Sequence, residues 1–302
     1  VSSAGDFNGD GIDDVVVGAI LAGTSGGYTG AAYVVFGEHG SSAIGNLGGL
    51  DGKSGVILAG VSPNELAGFS VSSAGDFNGD GFDDVIVSAP YADVNGTNSG
   101  SIYVVFGHGG AFPAELQLGQ LNGTDGFKIQ GLAANDYAGW SVSSAGDVNG
   151  DGFEDLIIGA PNVGAQDYGA AYVLFGQAGP MSATIDLNKL DARHGFWVYG
   201  DYGGDFAGVS VSGAGDINGD GFDDLLVGAP GADRGGDASG AVEVIFGGRT
   251  NSHAIGGTEN ADTLTGTSGD DAIRGRGGDD TLHGLGGNDI LDGGKAHDKV
   301  IG

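Results

Sequence analysis

Short apolar runs bounded by glycine and polar residues recur along most of the chain in a fixed order. In the second cycle of this pattern they are FSVSSAG (Phe69–Gly75), DDVIVSA (Asp83–Ala89), SIYVVFG (Ser101–Gly107) and GFKIQG (Gly126–Gly131). GVILAG from Gly55 and GFWVYG from Gly195 are equivalents of the last. Each run is strand-sized, and the glycine punctuation predicts strands joined by tight turns. Alternation in SIYVVFG is incomplete, as it is where both faces of a sheet meet apolar neighbours. Four short strands per unit are the composition of one propeller blade.

The polar segment between the first two runs of each unit repeats most closely. DFNGDGIDD at Asp6–Asp14 returns as DFNGDGFDD from Asp76, DVNGDGFED from Asp147 and DINGDGFDD from Asp216. These copies stand about 70 residues apart, a spacing that marks repeat architecture. The first ten residues, VSSAGDFNGD, recur identically at Val71–Asp80, inside a unit, so the chain reads as a fragment that opens in mid-blade. From Gly257 a shorter period takes over: GTENADTLT, GTSGDDAIR, GRGGDDTLH, GLGGNDILD and GGKAHDKVI run without a gap to Ile301. Every nonapeptide has aspartate sixth (Asp262, Asp271, Asp280, Asp289, Asp298) and an aliphatic residue eighth (Leu264, Ile273, Leu282, Leu291, Val300). The expected organisation is blades over 1–247, a linker over 248–256 and a second repeat domain, truncated, over 257–302.

Composition sharpens this picture. The chain has 302 residues, 67 of them glycine, with one methionine, no cysteine and 40% apolar residues, too many for a disordered polymer. Its net charge of -30 disfavours nucleic acid and anionic lipid and favours divalent cations. No apolar run approaches the roughly 18 residues of a membrane helix, so membrane insertion is not expected. Disulfides and thiolate metal sites are excluded.

Most of the acid lies in the two motif systems. In D-x-N-G-D-G-x-x-D, side-chain oxygens at positions 1, 3, 5 and 9 and a carbonyl at position 7 can surround a hard cation that takes about 6–8 oxygens. The candidate ligands are Asp6, Asn8, Asp10, the Ile12 carbonyl and Asp14 in the first loop, and Asp76, Asn78, Asp80, Phe82 and Asp84 in the second. The third would use Asp147, Asn149, Asp151, Phe153 and Asp155, and the fourth Asp216, Asn218, Asp220, Phe222 and Asp224. An EF-hand needs glutamate at position 12, where this chain has Val17, Val87, Ile158 and Val227. The loop therefore joins two strands. Magnesium, with its stricter geometry, fits less well than calcium. Acidic Asx turns without metal are the alternative; four copies, each gathering three ligand carboxylates, favour a cation, because like charges at that range repel.

Beside these loops stand Phe-Gly pairs (Phe36-Gly37, Phe106-Gly107, Phe175-Gly176, Phe246-Gly247) and the triplets Gly159-Ala160-Pro161 and Gly228-Ala229-Pro230. Ser88-Ala89-Pro90 and Gly18-Ala19-Ile20 are departures. The segment Val1 to about Gly247 resembles the FG-GAP repeats of integrin α-subunit propellers and their bacterial relatives. That resemblance implies an all-β chain, with four visible blades of a propeller that usually closes with seven. The tail resembles the RTX, or haemolysin-type, array, which implies a parallel β-roll. In such a roll calcium is held by the sixth-position aspartates Asp262, Asp271, Asp280, Asp289 and Asp298 with turn carbonyls, and the eighth-position side chains form the core. The last repeat departs from the pattern at Ala296 and His297.

The two resemblances imply a secreted, extracellular or cell-surface calcium-binding adhesion protein, exported by a type I route, whose tail folds once calcium is met. The open alternatives are the non-catalytic part of a larger secreted enzyme and a structural surface or matrix protein. Enzyme signals are poor: there is no H-E-x-x-H, Gly23-Thr24-Ser25-Gly26-Gly27 lacks a following helix, and Gly52-Lys53-Ser54 lacks its upstream glycine. No Arg-Gly-Asp occurs; Arg234-Gly235-Gly236-Asp237 and Arg276-Gly277-Gly278-Asp279 miss it by one residue. A protein or glycan partner is expected on the end opposite the calcium loops, near Tyr28, Tyr91, Tyr137, Tyr168 and Arg234, where loops vary between units.

Overall fold

A computed structural model describes residues 1–23, 27–40, 46–164, 166–179, 181–191, 193–233, 239–248, 254–256, 261–266, 271–275, 277–286, 290–293 and 297–302. Blade 1 is the antiparallel meander β1 (Ser2–Gly5), β2 (Asp14–Ala19), β3 (Ala31–Val35) and β4 (Gly55–Ala59). Blade 2 comprises β5 (Val71–Gly75), β6 (Asp84–Ala89), β7 (Ser101–Val105) and, after the short β8 (Glu115–Gln117), β9 (Gly126–Gln130). Blade 3 comprises β10 (Ser141–Gly146), β11 (Asp155–Ala160), β12 (Ala170–Leu174) and, after β13 (Thr184–Asp186), β14 (Gly195–Tyr199). Blade 4 has β15 (Ser210–Gly215), β16 (Asp224–Ala229) and β17 (Ala241–Ile245).

The innermost strands β1, β5, β10 and β15 lie side by side in sequence order. Apolar residues of successive blades interdigitate, which is why the second and third strands of the blades, such as β6, β7, β11 and β12, read as nearly continuous apolar runs. Val34 and Leu58 of blade 1 share a core with Val85, Tyr103 and Val105 of blade 2. Ile86, Ile102 and Phe127 of blade 2 meet Leu156, Tyr172 and Leu174 of blade 3, and Ile157 and Val173 of blade 3 meet Leu225 and Val227 of blade 4.

Two strands were not legible as such. β8 pairs in parallel with β4 of the blade before it, Leu116 opposite Leu58, and β13 pairs in parallel with β9, Ile185 opposite Ile129. Blades 2 and 3 thus each lend the preceding blade a fifth strand. A one-turn 3-10 helix follows each, Leu118–Gln120 and Leu187–Lys189, and buries its leucine.

The tail forms two parallel ladders: β18 (Ala254–Gly256), β20 (Ala272–Arg274) and β22 (Ile290–Asp292) on one side, and β19 (Thr263–Thr265), β21 (Thr281–His283) and β23 (Lys299–Ile301) on the other. Ile255, Ile273 and Leu291 are backbone partners along one ladder, and Leu264, Leu282 and Val300 along the other. One coil therefore takes two nonapeptides. β18 falls within the stretch read as a linker, and it lies within 8 Å (Cα–Cα) of β14. Among the described residues no helix is long and apolar enough to cross a membrane.

Candidate calcium sites

Each D-x-N-G-D-G-x-x-D segment joins the first and second strand of a blade. In blade 2, Asp76 accepts the amides of Asp80 and Gly81 at 2.9 Å each, Asn78 Oδ1 accepts from Asp80 N at 2.9 Å, and Asp80 Oδ1 accepts from Phe82 N at 3.0 Å. Asn78 Nδ2 donates to Asp80 Oδ2 at 3.0 Å. The same five bonds recur in the loops of Asp6, Asp147 and Asp216. Glycine at position 6 makes this wrap possible, with φ of 86°, 92°, 92° and 93° in the four loops. Oxygens of positions 1, 3 and 5 are thereby brought onto one turn.

The ninth-position aspartates lie beneath that turn, fully buried. Asp84 Oδ2 accepts from Phe77 N at 3.1 Å and its Oδ1 from Gly107 N at 2.9 Å. Asp155 and Asp224 make the same pair of bonds, to Val148 and Gly176 and to Ile217 and Gly247; Asp14 uses Asn8 and Gly37. Burial pushes Asp84 and Asp155 up to about 8 and Asp14 to about 6, and the charges of Asp80 and Asp76 add to the rise at Asp84. Among the described residues no three carboxylate or imidazole side chains already form a closed metal cage. The donor set nevertheless suits calcium. Each carboxylate oxygen that accepts one amide keeps a further lone pair, and a cation would offset the repulsion of three acids in one loop.

The tail gives a more direct test of fit. Asp280 is buried, its Oδ1 accepts from Asp262 N at 2.8 Å, and its Oδ2 has no hydrogen-bond partner. An ideal Cβ on Gly275 would sit 2.3 Å from that oxygen and 2.5 Å from the Gly293 carbonyl oxygen. Gly266 faces Asp271 Oδ2 and the Gly284 carbonyl in the same way, at 2.5 and 2.6 Å. Asp280 Oδ2 and the Gly293 carbonyl oxygen, from repeats two apart, thus converge on a cradle only glycine leaves open, and the Asp271 carboxylate and the Gly284 carbonyl approach each other likewise at Gly266. That is the arrangement a hard cation fills. Asp298 Oδ1 accepts from Asp280 N at 3.0 Å, continuing the ladder. Asp289 lies outside the described residues.

The FG-GAP repeat profile matches residues 1–35, 67–105, 138–174 and 207–245, and the RTX calcium-binding nonapeptide repeat profile matches 256–291 and 265–300. This is an FG-GAP repeat protein with an RTX tail. It is calcium-binding. Similar proteins include integrin alpha-5 of Xenopus laevis, 30% identical over 76% of this chain and 20% of that protein, and integrin alpha-PS5 of Drosophila melanogaster, 36% identical over 59% and 16%. The phosphatidylinositol-glycan-specific phospholipase D of Homo sapiens is 32% identical over 62% of this chain and 21% of its own length. The chain spans about a fifth of the length of these curated relatives.

Two features of the FG-GAP repeat now have physical roles. The glycine of FG supplies the amide that fixes the ninth-position aspartate, and it has no room for a side chain: a Cβ on Gly107 would sit 2.3 Å from the Asp83 carbonyl oxygen. The glycine of GAP packs under the next blade's entry loop, where a Cβ on Gly159 would meet the Gly208 oxygen at 1.9 Å. Blade 2 departs with Ser88, whose Oγ accepts from Ser70 N of its own blade's entry segment at 2.9 Å.

At the opposite end of the FG-GAP blades, Tyr91 and Tyr137 join two residues that sequence reading missed, Phe69 and Trp140. Ring centroids are 5.0 Å apart for Phe69–Trp140, 5.5 Å for Tyr91–Tyr137 and 6.0 Å for Tyr137–Trp140, and all four rings are half-buried. Tyr137 holds a left-handed φ of 54°, uncommon for a bulky residue. Its hydroxyl accepts from Asn98 Nδ2 at 3.3 Å. Trp140 directly precedes β10 and Phe69 stands two residues before β5, at the start of runs that pattern reading assigns to strands. Tyr168 is half-buried, Tyr28 is exposed, and Arg234 lies outside the described residues.

Proposed function

We propose that this chain is a secreted or surface-displayed adhesion protein that uses calcium to stiffen its blades and to fold its tail after export. It would hold an extracellular protein or glycan on the end opposite the calcium loops. In this reading the propeller ligands are the residues at positions 1, 3, 5, 7 and 9 of the four loops, the blades end near Gly247 and the roll begins near Gly257. The observation that carries it is the half-buried aromatic cluster of Phe69, Tyr91, Tyr137 and Trp140, set in loops that differ between blades. Aromatic anchors of this kind dominate binding energy at interfaces. The test is a glycan and extracellular-protein array followed by Tyr137→Ala and Trp140→Ala. Either substitution should weaken a captured ligand by more than about 1 kcal/mol; a ligand affected only by changes at the calcium-loop end would refute the assignment of the face.

A second reading, the non-catalytic part of a larger secreted enzyme, is favoured by the likeness to a phosphatidylinositol-glycan-specific phospholipase D. The two part on the reading frame that contains this chain. A catalytic domain encoded beside it supports the second.

A further inference from the structure

The four loops carry an acid that the calcium sites do not use, at position 8: Asp13, Asp83, Glu154 and Asp223. In Asp83 and Asp223 the side chain leaves its own loop and reaches the loop of the blade before it. Asp83 Oδ2 accepts from Asp6 N at 2.7 Å, and Asp223 Oδ2 accepts from Asp147 N at 2.9 Å. Backbone bonds run beside these, from Asp83 N to the Asp6 oxygen at 3.4 Å and from Asp223 N to the Asp147 oxygen at 3.2 Å. The recipient in each case is position 1, the residue whose carboxylate organises the preceding loop.

The motif glycines record the same lacing. A Cβ on Gly5 would lie 2.1 Å from Asp83 Oδ2, and one on Gly146 would lie 2.2 Å from Asp223 Oδ2. A Cβ on Gly9, Gly79 or Gly150 would lie 2.2, 2.3 or 2.3 Å from the ring of Phe82, Phe153 or Phe222, the position 7 residue of the following loop. In the fourth loop, which no further FG-GAP repeat follows, Gly215 and Gly219 have nothing within 4 Å. The glycines before position 1 and at position 4 therefore serve the neighbouring blade as well as the turn. Glu154 differs by one methylene: its Cγ passes 2.5 Å from an ideal Cβ on Gly75, and its Oε2 accepts from Ser144 Oγ at 3.2 Å. Its carboxylate is thus turned to its own blade's inner strand.

We propose that the position 8 aspartates are positioning residues for the calcium site of the preceding blade, Asp83 for the loop Asp6–Asp14 and Asp223 for the loop Asp147–Asp155. The proposal rests on the reading of these loops as calcium sites. By holding the position 1 amide, the acid fixes the backbone from which the first ligand springs, and it adds negative charge beside the ion. The calcium sites of blades 1 and 2, and of blades 3 and 4, are thereby linked, each pair through one acid, and the linkage acts both ways.

Calcium uptake by the full chain, followed by calorimetry, tests this. Asp83→Ala should weaken one ion about tenfold, the cost of losing one hydrogen bond to a charged acceptor. In an Asp6→Ala background, where that ion is already lost, Asp83→Ala should change nothing further; in an Asp80→Ala/Asp84→Ala background it should still weaken one ion. Asp83→Asn, which keeps an acceptor at the same place, should recover part of the loss and guards against simple misfolding. Glu154→Asp should tighten the Asp76 loop, and thermal unfolding in calcium-free buffer should shift little for Asp83→Asn. An Asp83→Ala effect that persists with Asp6→Ala and vanishes with Asp80→Ala/Asp84→Ala would overturn the proposal, since the acid would then serve its own loop. If Asp6→Ala leaves uptake unchanged, the calcium reading of the loop fails first and the proposal goes with it.

Discussion

At the scale of the residue, acids in this protein do two kinds of work. Those at positions 1 and 5 of the loops stay near solvent, whereas Asp84, Asp155, Glu65 and Asp136 are buried and accept backbone amides. Glu65 shows the second kind away from any loop ligand. It accepts the Val61 amide, and burial raises its pKa, with Lys128 opposing the shift through its charge. A carboxyl with a raised native pKa stabilises most where it is protonated, and its contribution is lost as pH rises through that native value. Glu65→Gln keeps an acceptor for Val61 and removes the buried charge. Its stability relative to the parent protein should therefore increase as pH rises from about 4, the ordinary value, through the raised native value of Glu65. Urea unfolding across that range in saturating calcium measures it; a flat difference would mean that Glu65 is not buried as a charge.

At the scale of the element, the meanders follow from apolar runs and turn chemistry, but the fifth strands do not. β8 and β13 are three residues long, and only their central residue is apolar and inward. They exist because the fourth strand of the preceding blade offers a free edge, which a parallel segment can cover. Their anchor is the leucine of the 3-10 turn that follows, Leu118 or Leu187, each buried in a core shared between blades. Leu118→Ala should cost about 2–5 kcal/mol, while Glu115→Ala on the exposed side of β8 should stay within about 0.5 kcal/mol. Equal effects of the two in denaturant unfolding would show that β8 is not held from Leu118.

At the scale of the molecule, blade junctions carry the core, and among the described residues of the tail few apolar side chains are buried. Ile273 and Leu282 are buried in the roll, but Val300, the eighth-position residue of the last repeat, is 49% exposed. So small an apolar core cannot offset the ordering of glycine-rich turns, and an ion that binds only the folded roll must supply the difference. Amides near Leu282 should exchange freely in calcium-free buffer and become protected in millimolar calcium. Asp280→Ala should abolish that protection, because Asp280 links the repeats on both sides of it, and Asp298→Ala should matter least. Equal protection with and without calcium would overturn calcium gating. The blades show the same dependence on neighbours. Val242, Val244 and Phe246 of blade 4 are 65%, 44% and 58% exposed, whereas Ala171 and Val173 at the corresponding places in blade 3 are covered by blade 4.

The sequence by itself determined what local chemistry can fix. Turn glycines, strand-length apolar runs and oxygen spacing specify the blade meander, the loop that wraps positions 1, 3 and 5, and the nine-residue period of the tail. The tertiary structure decided what depends on a second chain segment arriving. It turned the ninth-position aspartate toward the FG glycine, sent the eighth-position aspartate into the neighbouring loop, laid β8 on β4, and brought Phe69 and Trp140 to Tyr91 and Tyr137. Position along the chain says which oxygen or ring a turn can present; only the packing of one blade on the next says what stands opposite it, because burial and hydrogen-bond partners belong to pairs of segments.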